Sequence, residues 1–366
     1  MEEKYLLEIC NPKQWKTIPK SQLLENGKFP VYGANGIIGR YNEYNHEKPT
    51  VLITCRGATC GNIHITVPKA YINGNAMALD NLNEIICKKE YLYYFLQYYD
   101  MSKIISGTAQ PQITITGLKK VKVKLYSINK QEEIVNELNK INKLIELKER
   151  QLEELQKLIK SQFVEMFGIP FLNDKNWKHG IIKDLVREVK YGTSKPANGG
   201  KYKYLRMNNI TYDGKLDLRE IKYIDIEESD KEKYLTKNGD ILFNRTNSKE
   251  LVGKTCVFDV EEEMIIAGFI IRVRVNDFAN PYFISEYLNT VYLKDKLRNM
   301  CKDASGQSNI NAKELQNIKI YIPPITLQNQ FSEIVKQIDK QKFESMIQLK
   351  MMEKIYNIIN ERRRYV

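Results

Sequence analysis

The sequence predicts an α+β protein: two α/β domains built on one repeated frame, separated by two long antiparallel helices that form a coiled coil. Three observations carry this. A heptad seam runs through residues 128–167, a second seam runs through residues 324–366, and the stretch leading into the first recurs ahead of the second.

Stepping from Ile134 by alternate fours and threes meets Ile134, Leu138, Ile141, Ile145, Lys148, Leu152, Leu155 and Ile159. All but Lys148 are Leu or Ile, which is an a/d seam with one polar break. Polar residues fill the other faces, and no Gly or Pro intervenes before Gly168. At about 1.5 Å per residue this helix is on the order of 58 Å long. Its apolar stripe is too narrow for an ordinary globular helix, so it needs a partner.

The partner lies in the same chain, over Pro324–Tyr365. Placing Gln110 on Gln307 puts Ile113 on Ile310, Leu118 on Leu315, and Val121, Val123 and Leu125 on Ile318, Ile320 and Ile322. Ile128 then meets Ile325, Gln131 meets Gln328 and Ile134 meets Phe331. The second seam continues through Phe331, Val335, Ile338, Leu349, Met352, Tyr356 and Ile359, weakened at Lys342 and Ser345. A loop, short strand and long helix recurring together is an internal duplication. Two unrelated amphipathic helices would not bring the strand and the Gln-containing loop with them. A duplicated chain closes most simply about a pseudo-twofold axis, which makes the helices antiparallel and sets the globular parts at opposite ends.

The order is therefore a domain over residues 1–127, a helix over 128–168, a second domain over 169–323 and a helix over 324–366. In the first domain Phe29–Gly39 alternates β-formers with Gly and Asn, predicting strands joined by tight turns. Thr50–Thr54 reads as a buried strand, and Glu90–Tyr99 as a core helix. In the second domain Asp240–Phe243 resembles that strand, Arg245 follows it much as Arg56 follows Ile53, and Gly253 matches Gly61 in place. Asn280-Pro281 opens a helix predicted to run over Tyr282–Leu297, with Asn as N-cap. The short lead before Leu7-Glu8-Ile9 leaves room for a missing edge element.

The 366 residues suffice for two cored domains plus the helices. Lys and Arg number 57 against 45 Asp and Glu, a formal charge of +12, with a pI near 9.1. Such a surplus favours a polyanionic partner. No stretch approaches about 18 apolar residues, and the start is no signal peptide, so a soluble, cytoplasmic protein is expected. Six scattered cysteines without a CxxC pair, and three histidines, give no metal site and fit a reducing compartment.

Catalytic readings fail one by one. Asn280-Pro281-Tyr282-Phe283 approaches the Asn-Pro-Pro-Tyr/Phe string of amino-methyltransferases but lacks one proline, and helix capping explains it. Gly253-Lys254-Thr255 ends like a phosphate loop, yet Ser248 stands where its first Gly belongs. Gly33, Gly36 and Gly39 lead into no helix, and so few histidines allow no Ser/His/Asp or Cys/His set.

The functional candidates are polar, basic and loop-borne. In the first domain they are Arg40, Tyr41, Lys48 and Arg56, with Ser106, Thr108 and Gln110 in the duplicated loop. In the second they are Lys195, Lys201, Lys203, Arg206, Asn208, Asn209, Arg245, Thr246, Asn247, Ser248 and Lys249, with Ser305, Gln307 and Ser308. Arg and Lys bridge guanine O6 and N7, Asn and Gln bridge adenine N6 and N7, and neighbouring lysines neutralise phosphates. Arg56, Arg245 and Gln307 stand out by their place in the repeat.

These features together resemble the specificity subunit of type I restriction-modification systems. The resemblance rests on FPVYGANGIIGRY and RGATCGNI in the first half, and on YGTSKP, YLRMNNI and GDILFNRT in the second. SGTAQPQI and ASGQSNI, each leading through a strand to Gln131 or Gln328, complete it. It implies two target-recognition domains, each reading half of a split double-stranded DNA sequence, with the helices fixing the gap. It also implies one such subunit per complex, two modification subunits docked along the helices for adenine N6 methylation with S-adenosylmethionine, and restriction subunits that cut DNA with ATP and Mg. No cofactor is implied for this chain itself. A recognition subunit of another phage-defence assembly, a coiled-coil protein scaffold and a standalone methyltransferase are the rival readings.

Overall fold

The computed structural model describes residues 2–34, 36–107, 110–304 and 307–365, the side chains of 302–304, 307 and 361–365 excepted. Two compact units result: Met1–Lys148 with Gln348–Val366, and Glu149–Ile347. The long helices Ile128–Phe167 and Ile325–Tyr365 are each shared between them.

In unit 1 a four-stranded antiparallel sheet has the order Asn11–Gln14, Ala76–Asp80, Val51–Thr54, Ile63–Ile65. The expected strand is there, and all four residues of Val51–Thr54 are buried. Phe29–Gly33 and Gly36–Tyr41 form the predicted hairpin, with Gly36 at φ 71, where a side chain would be strained. Tyr71–Ile72 joins that hairpin in parallel. Glu2–Tyr5 pairs with Lys122–Leu125, and the aromatic helix spans Lys89–Tyr98.

Unit 2 repeats the plan. Its four-stranded sheet runs Val186–Tyr191, Ile270–Val275, Asp240–Asn244, Thr255–Phe258. Lys222–Ile224, Tyr202–Leu205 and Ile265–Ile266 form the three-stranded sheet, the last strand again parallel. Lys178–Ile181 pairs with Lys319–Ile322 as Glu2–Tyr5 pairs with Lys122–Leu125. Every strand of these sheets in unit 2 therefore has a counterpart in unit 1. One expectation is corrected. The helix after Asn280 is two helices, Pro281–Asn289 and Val291–Met300. Thr290 is extended (φ −60°, ψ 149°), ends the first and caps the second by accepting from the Leu293 amide. A Thr hydroxyl satisfying local backbone groups competes with helix continuation.

The seam positions are buried or half-buried throughout. In unit 1 Ile134 and Leu138 share a core with Tyr356 and Ile359. In unit 2 Phe163 and Phe167 meet Phe331 at ring distances of 5.5 and 5.4 Å, and Ile159 joins Val335 and Ile338. Lys342 donates to Gln156 there. Rising numbers in one helix thus meet falling numbers in the other, the antiparallel pairing expected. Ser345, a weak seam position, is nonetheless buried.

The turn Thr211–Lys215 of unit 2 is strapped to the helices beneath it. Lys215 Nζ lies 2.6 Å from an Asp339 carboxylate oxygen. Lys294 donates to the Tyr212 carbonyl and sits 3.8 Å from the centre of its ring. Burial, then the Lys160 charge, pulls the Lys294 amine from its ordinary 10.5 down to about 8. Between those values the unfolded chain holds a proton that the folded chain has released, so the penalty fades as pH rises through that window. The unfolding free energy of the native chain should therefore gain on that of Lys294→Met between about pH 8 and 10.5. A pH-independent difference would mean that the amine stays fully hydrated.

Candidate nucleic-acid interface

Both units hold the head of a long helix in the same way. Gln131 and Gln328 are fully buried. Gln131 Oε1 accepts from the Lys88 amide at 2.8 Å, and its Nε2 donates to the Ile86 and Tyr126 carbonyls at 2.8 and 2.9 Å. Gln328 accepts from the Asn280 amide at 2.8 Å and donates to Phe278 and Pro323 at 3.2 and 2.8 Å. One side chain in each unit thus ties the long helix to the start of the helix that covers the sheet.

On this frame the backbone partners define which loop residues correspond. Ile113 donates its amide to Cys55, and Ile310 to Arg245. Arg56 bridges to Gln112, and Thr246 to Asn309. Arg245 therefore occupies the place of Cys55, and Arg56 that of Thr246. The apparent recurrence of the two arginines is out of step by one residue, and in extended chain one residue reverses the side on which a side chain projects.

In unit 1, Arg56 is exposed at the end of its strand. Gln112, its backbone partner, also pairs with Ser106, whose hydroxyl donates to the Gln112 carbonyl at 3.3 Å. Arg56 and Ser106 are thus brought together, and Gln110 lies exposed in the same loop. Thr108 and Ser305 lie outside the described residues. Arg40 is occupied locally, donating to the Gly27 and Lys28 carbonyls at 2.6 and 2.8 Å. Tyr41 packs edge-on against Tyr71 at 6.1 Å. Lys48 lines a separate hollow with Lys13, Asn45 and Lys89.

In unit 2 four candidates converge. Lys195, Arg206, Asn208 and Arg245 line a cleft of about 440 Å³ closed by Pro196, Ala197, Tyr204, Met207 and Phe269. Arg245 is held from three sides: its guanidinium lies 4.9 Å from the Tyr191 ring centre, donates to Asn309 Oδ1 at 2.9 Å and reaches the Gly268 carbonyl at 3.4 Å. Arg206 donates to the Glu220 carbonyl at 3.1 Å. Gly192 is required beneath, because a β-carbon there would collide with the Ile266 and Ala267 carbonyls.

Other candidates are engaged elsewhere. The Asn209 amide bonds the Arg206 and Asp217 backbone, and Asn247 bonds Asn244 and the Ser248 amide. Lys203 pairs with Glu262 at 2.6 Å, while Lys201 is exposed just ahead of the strand Tyr202–Leu205, its amide bonded to Asp225. Thr246 and Ser308 are buried in the small sheet they share, Ser248 is half-buried and Lys249 exposed. Gln307 lies on that sheet with its side chain outside the described set. Lys254, of the phosphate-loop lookalike, donates to the Met207 carbonyl. Tyr191, Asn309 and Phe269 were missed as site residues, although the first sits in the quoted YGTSKP string.

The four-stranded sheet, one strand of which ends just before Arg245, carries a charged cluster. Arg272, fully buried, meets Glu188 at 2.5 Å, and Arg274 meets Asp240 and Glu188 at 2.9 and 3.0 Å. Burial pushes the Glu188 carboxyl up, but hydrogen bonds from Lys190 and Arg272 outweigh it and hold the group below its ordinary range. Among the described residues no group of His, Cys, Asp or Glu could hold a metal ion. Among the same residues no helix is long and apolar enough to cross a membrane.

Residues 1–157 and 174–351 match the family model described as type I restriction modification DNA specificity domain. A Methanocaldococcus jannaschii protein assigned as the type I restriction enzyme MjaX specificity subunit is 30% identical over 170 residues, 45% of this chain and 40% of that protein. The EcoKI specificity subunit of Escherichia coli is 26% identical over 173 residues, 44% of this chain and 36% of its own length. These matches thus span less than half of either relative. The MjaVIII specificity subunit of M. jannaschii is 24% identical over 325 residues, 83% and 74% of the two chains. The crystal structure of a type I S subunit from M. genitalium superposes with a TM-score of 0.64 at 16% identity, covering 98% of this chain and 94% of that one. A chain from a structural study of type I R-M complex assembly gives 0.57 at 15% identity, with coverage of 98% and 96%. At such identities the likeness speaks for the fold.

Proposed function

The chain belongs to the type I restriction modification DNA specificity family, and from that premise we propose that it is the non-catalytic, sequence-reading subunit of a type I restriction-modification complex. The observation that carries this reading is one frame used twice with unlike loops. The strand plan and the buried glutamine recur, whereas Arg206 and Arg245 of unit 2 stand where unit 1 has Gly33 and Cys55. A repeated scaffold with divergent polar loops suits two half-sites that are engaged differently. Residues 1–127 and 169–323 are taken as the two reading domains. Each half-site interaction is modest, and joining them raises the effective concentration of the second once the first is bound. The +12 charge supplies the sequence-independent share.

Modification subunits, which would carry S-adenosylmethionine and methylate adenine, dock on the long helices. Met351, Ile355 and Ile358 in unit 1, and Phe343, Met346 and Ile347 in unit 2, are exposed apolar side chains on the second long helix. Such rows call for cover. Restriction subunits with ATP and Mg complete the complex. Exchange of Met351 and Ile355 for Glu should abolish co-purification with the modification subunits while leaving the circular dichroism spectrum unchanged. Retained co-purification would move the docking surface elsewhere.

The whole reading is tested by methylome sequencing of cells with and without the gene. The expected result is loss of a bipartite adenine-methylated motif on deletion. An unchanged methylome, together with no salt-sensitive duplex binding by the chain and its partner, would refute it.

A further inference from the structure

We propose that the cleft of unit 2 clamps one sugar–phosphate unit of the DNA backbone, so that Arg206 and Arg245 set the register of this unit on the duplex without reading a base. The inference rests on the DNA-reading role and adds to it what the cleft receives. Its lining holds Lys195, Arg206 and Arg245 and no carboxylate. Lys195 has its acidic partner, Glu227, outside the lining and 3.8 Å away. Both arginines are half-buried, and each leaves its Nε buried without a partner among the described residues. A buried N–H without an acceptor is costly, and an anion entering the cleft is one way to meet it.

Shape separates a backbone clamp from a base reader. Base edges lie inside a groove and are reached by side chains that project into it. Here both arginines are recessed, Arg245 being fixed by Tyr191, Asn309 and Gly268. A recess instead receives what projects from a duplex, its sugar–phosphate ridge. The guanidinium forks match phosphate oxygens, and Pro196, Ala197, Met207 and the exposed Phe269 give a deoxyribose an apolar wall. Unit 1 has Gly33 and Cys55 at the two arginine places and so lacks this clamp. The two half-sites should therefore be held unequally.

The test uses the full chain assembled with its modification subunits and a duplex bearing the methylated motif. Single methylphosphonate substitutions, which remove one backbone charge, are scanned across both half-sites. The expected result is one or two adjacent positions in the half-site of unit 2 where substitution weakens binding about ten-fold, with no equivalent in the other half-site. Arg206→Gln and Arg245→Gln should each weaken binding to the unsubstituted duplex, abolish that ten-fold sensitivity, and lower the slope of log affinity against log salt by about 1. Base preferences should stay unchanged, and Arg206→Lys should restore part of the affinity. Because Arg245 also ties two strands together, thermal unfolding of each variant is measured alongside, and Arg206→Gln alone decides if Arg245→Gln unfolds. A relaxed base preference in the Arg206 variant, or undiminished sensitivity to the neutral linkage, overturns the clamp while leaving DNA reading in place. Failure of the native assembly to bind any duplex overturns both.

Discussion

Replacing Gln328 with Ala should remove about 3 kcal/mol from the unfolding free energy, and Gln131→Ala should do the same in unit 1. Each glutamine is fully buried and serves three backbone groups, one amide and two carbonyls. Alanine leaves all three without that partner and opens a space at the joint between the long helix and the sheet-covering helix. A buried donor or acceptor left unmade costs about 1–3 kcal/mol, against about 1 for the net worth of an ordinary hydrogen bond. Gln328→Glu is the sharper variant: it keeps the acceptor for the Asn280 amide but loses both donors and buries a charge, so it should be at least as harmful. Gln330, exposed on the same helix, is the control, and its Ala variant should stay within about 0.5 kcal/mol of the native chain. Denaturant titration of the full chain provides the measurement. If Gln328→Ala is as mild as Gln330→Ala, water replaces the amide and the shared pin is incidental.

The same two glutamines mark where sequence reading succeeds and where it stops. Their identity at the head of each helix was legible, because a helix with a fixed seam and no Gly or Pro has one register, and the duplicated loop and strand lock it to its copy. What they bond was not legible, since Lys88 and Asn280 lie 43 and 48 residues away along the chain. The seam itself was read correctly, down to weak positions that stay covered, because heptad spacing is a local property. Arg245 shows the opposite case. Its likeness to Arg56 depended on counting residues beyond a strand, and the count differs by one between the copies. Only the paired amides of Ile113 and Ile310 reveal it. Thr290 was likewise hidden, because its hydroxyl breaks a segment whose apolar spacing continues across the break. Cleft walls such as Phe269 and Tyr191 come from separate loops, and no pattern along the chain announces their meeting.

Inserting one heptad into each long helix should keep both methylated words and lengthen the gap between them by about three base pairs. Seven residues add about 10 Å of helix, and B-DNA rises about 3.4 Å per base pair. The choice of seven matters for packing. A heptad returns the apolar seam to within about 20° of its original face, so Leu138 and Phe331, together with the rest of the seam, keep facing the partner helix. DNA does not return so neatly. With about 10 base pairs per turn, three extra pairs rotate the second word by roughly 100°, so the lengthened protein should bind its new motif more weakly than the native chain binds its own. Adding four residues to one helix only is the contrasting design: it throws that seam off its partner and should cost stability before it changes any gap. Methylome sequencing of cells carrying each version gives the readout. Were the heptad version to methylate at the original gap, the interval would have to be set by the subunits that dock on these helices, and the paired helices would serve only to join two reading domains.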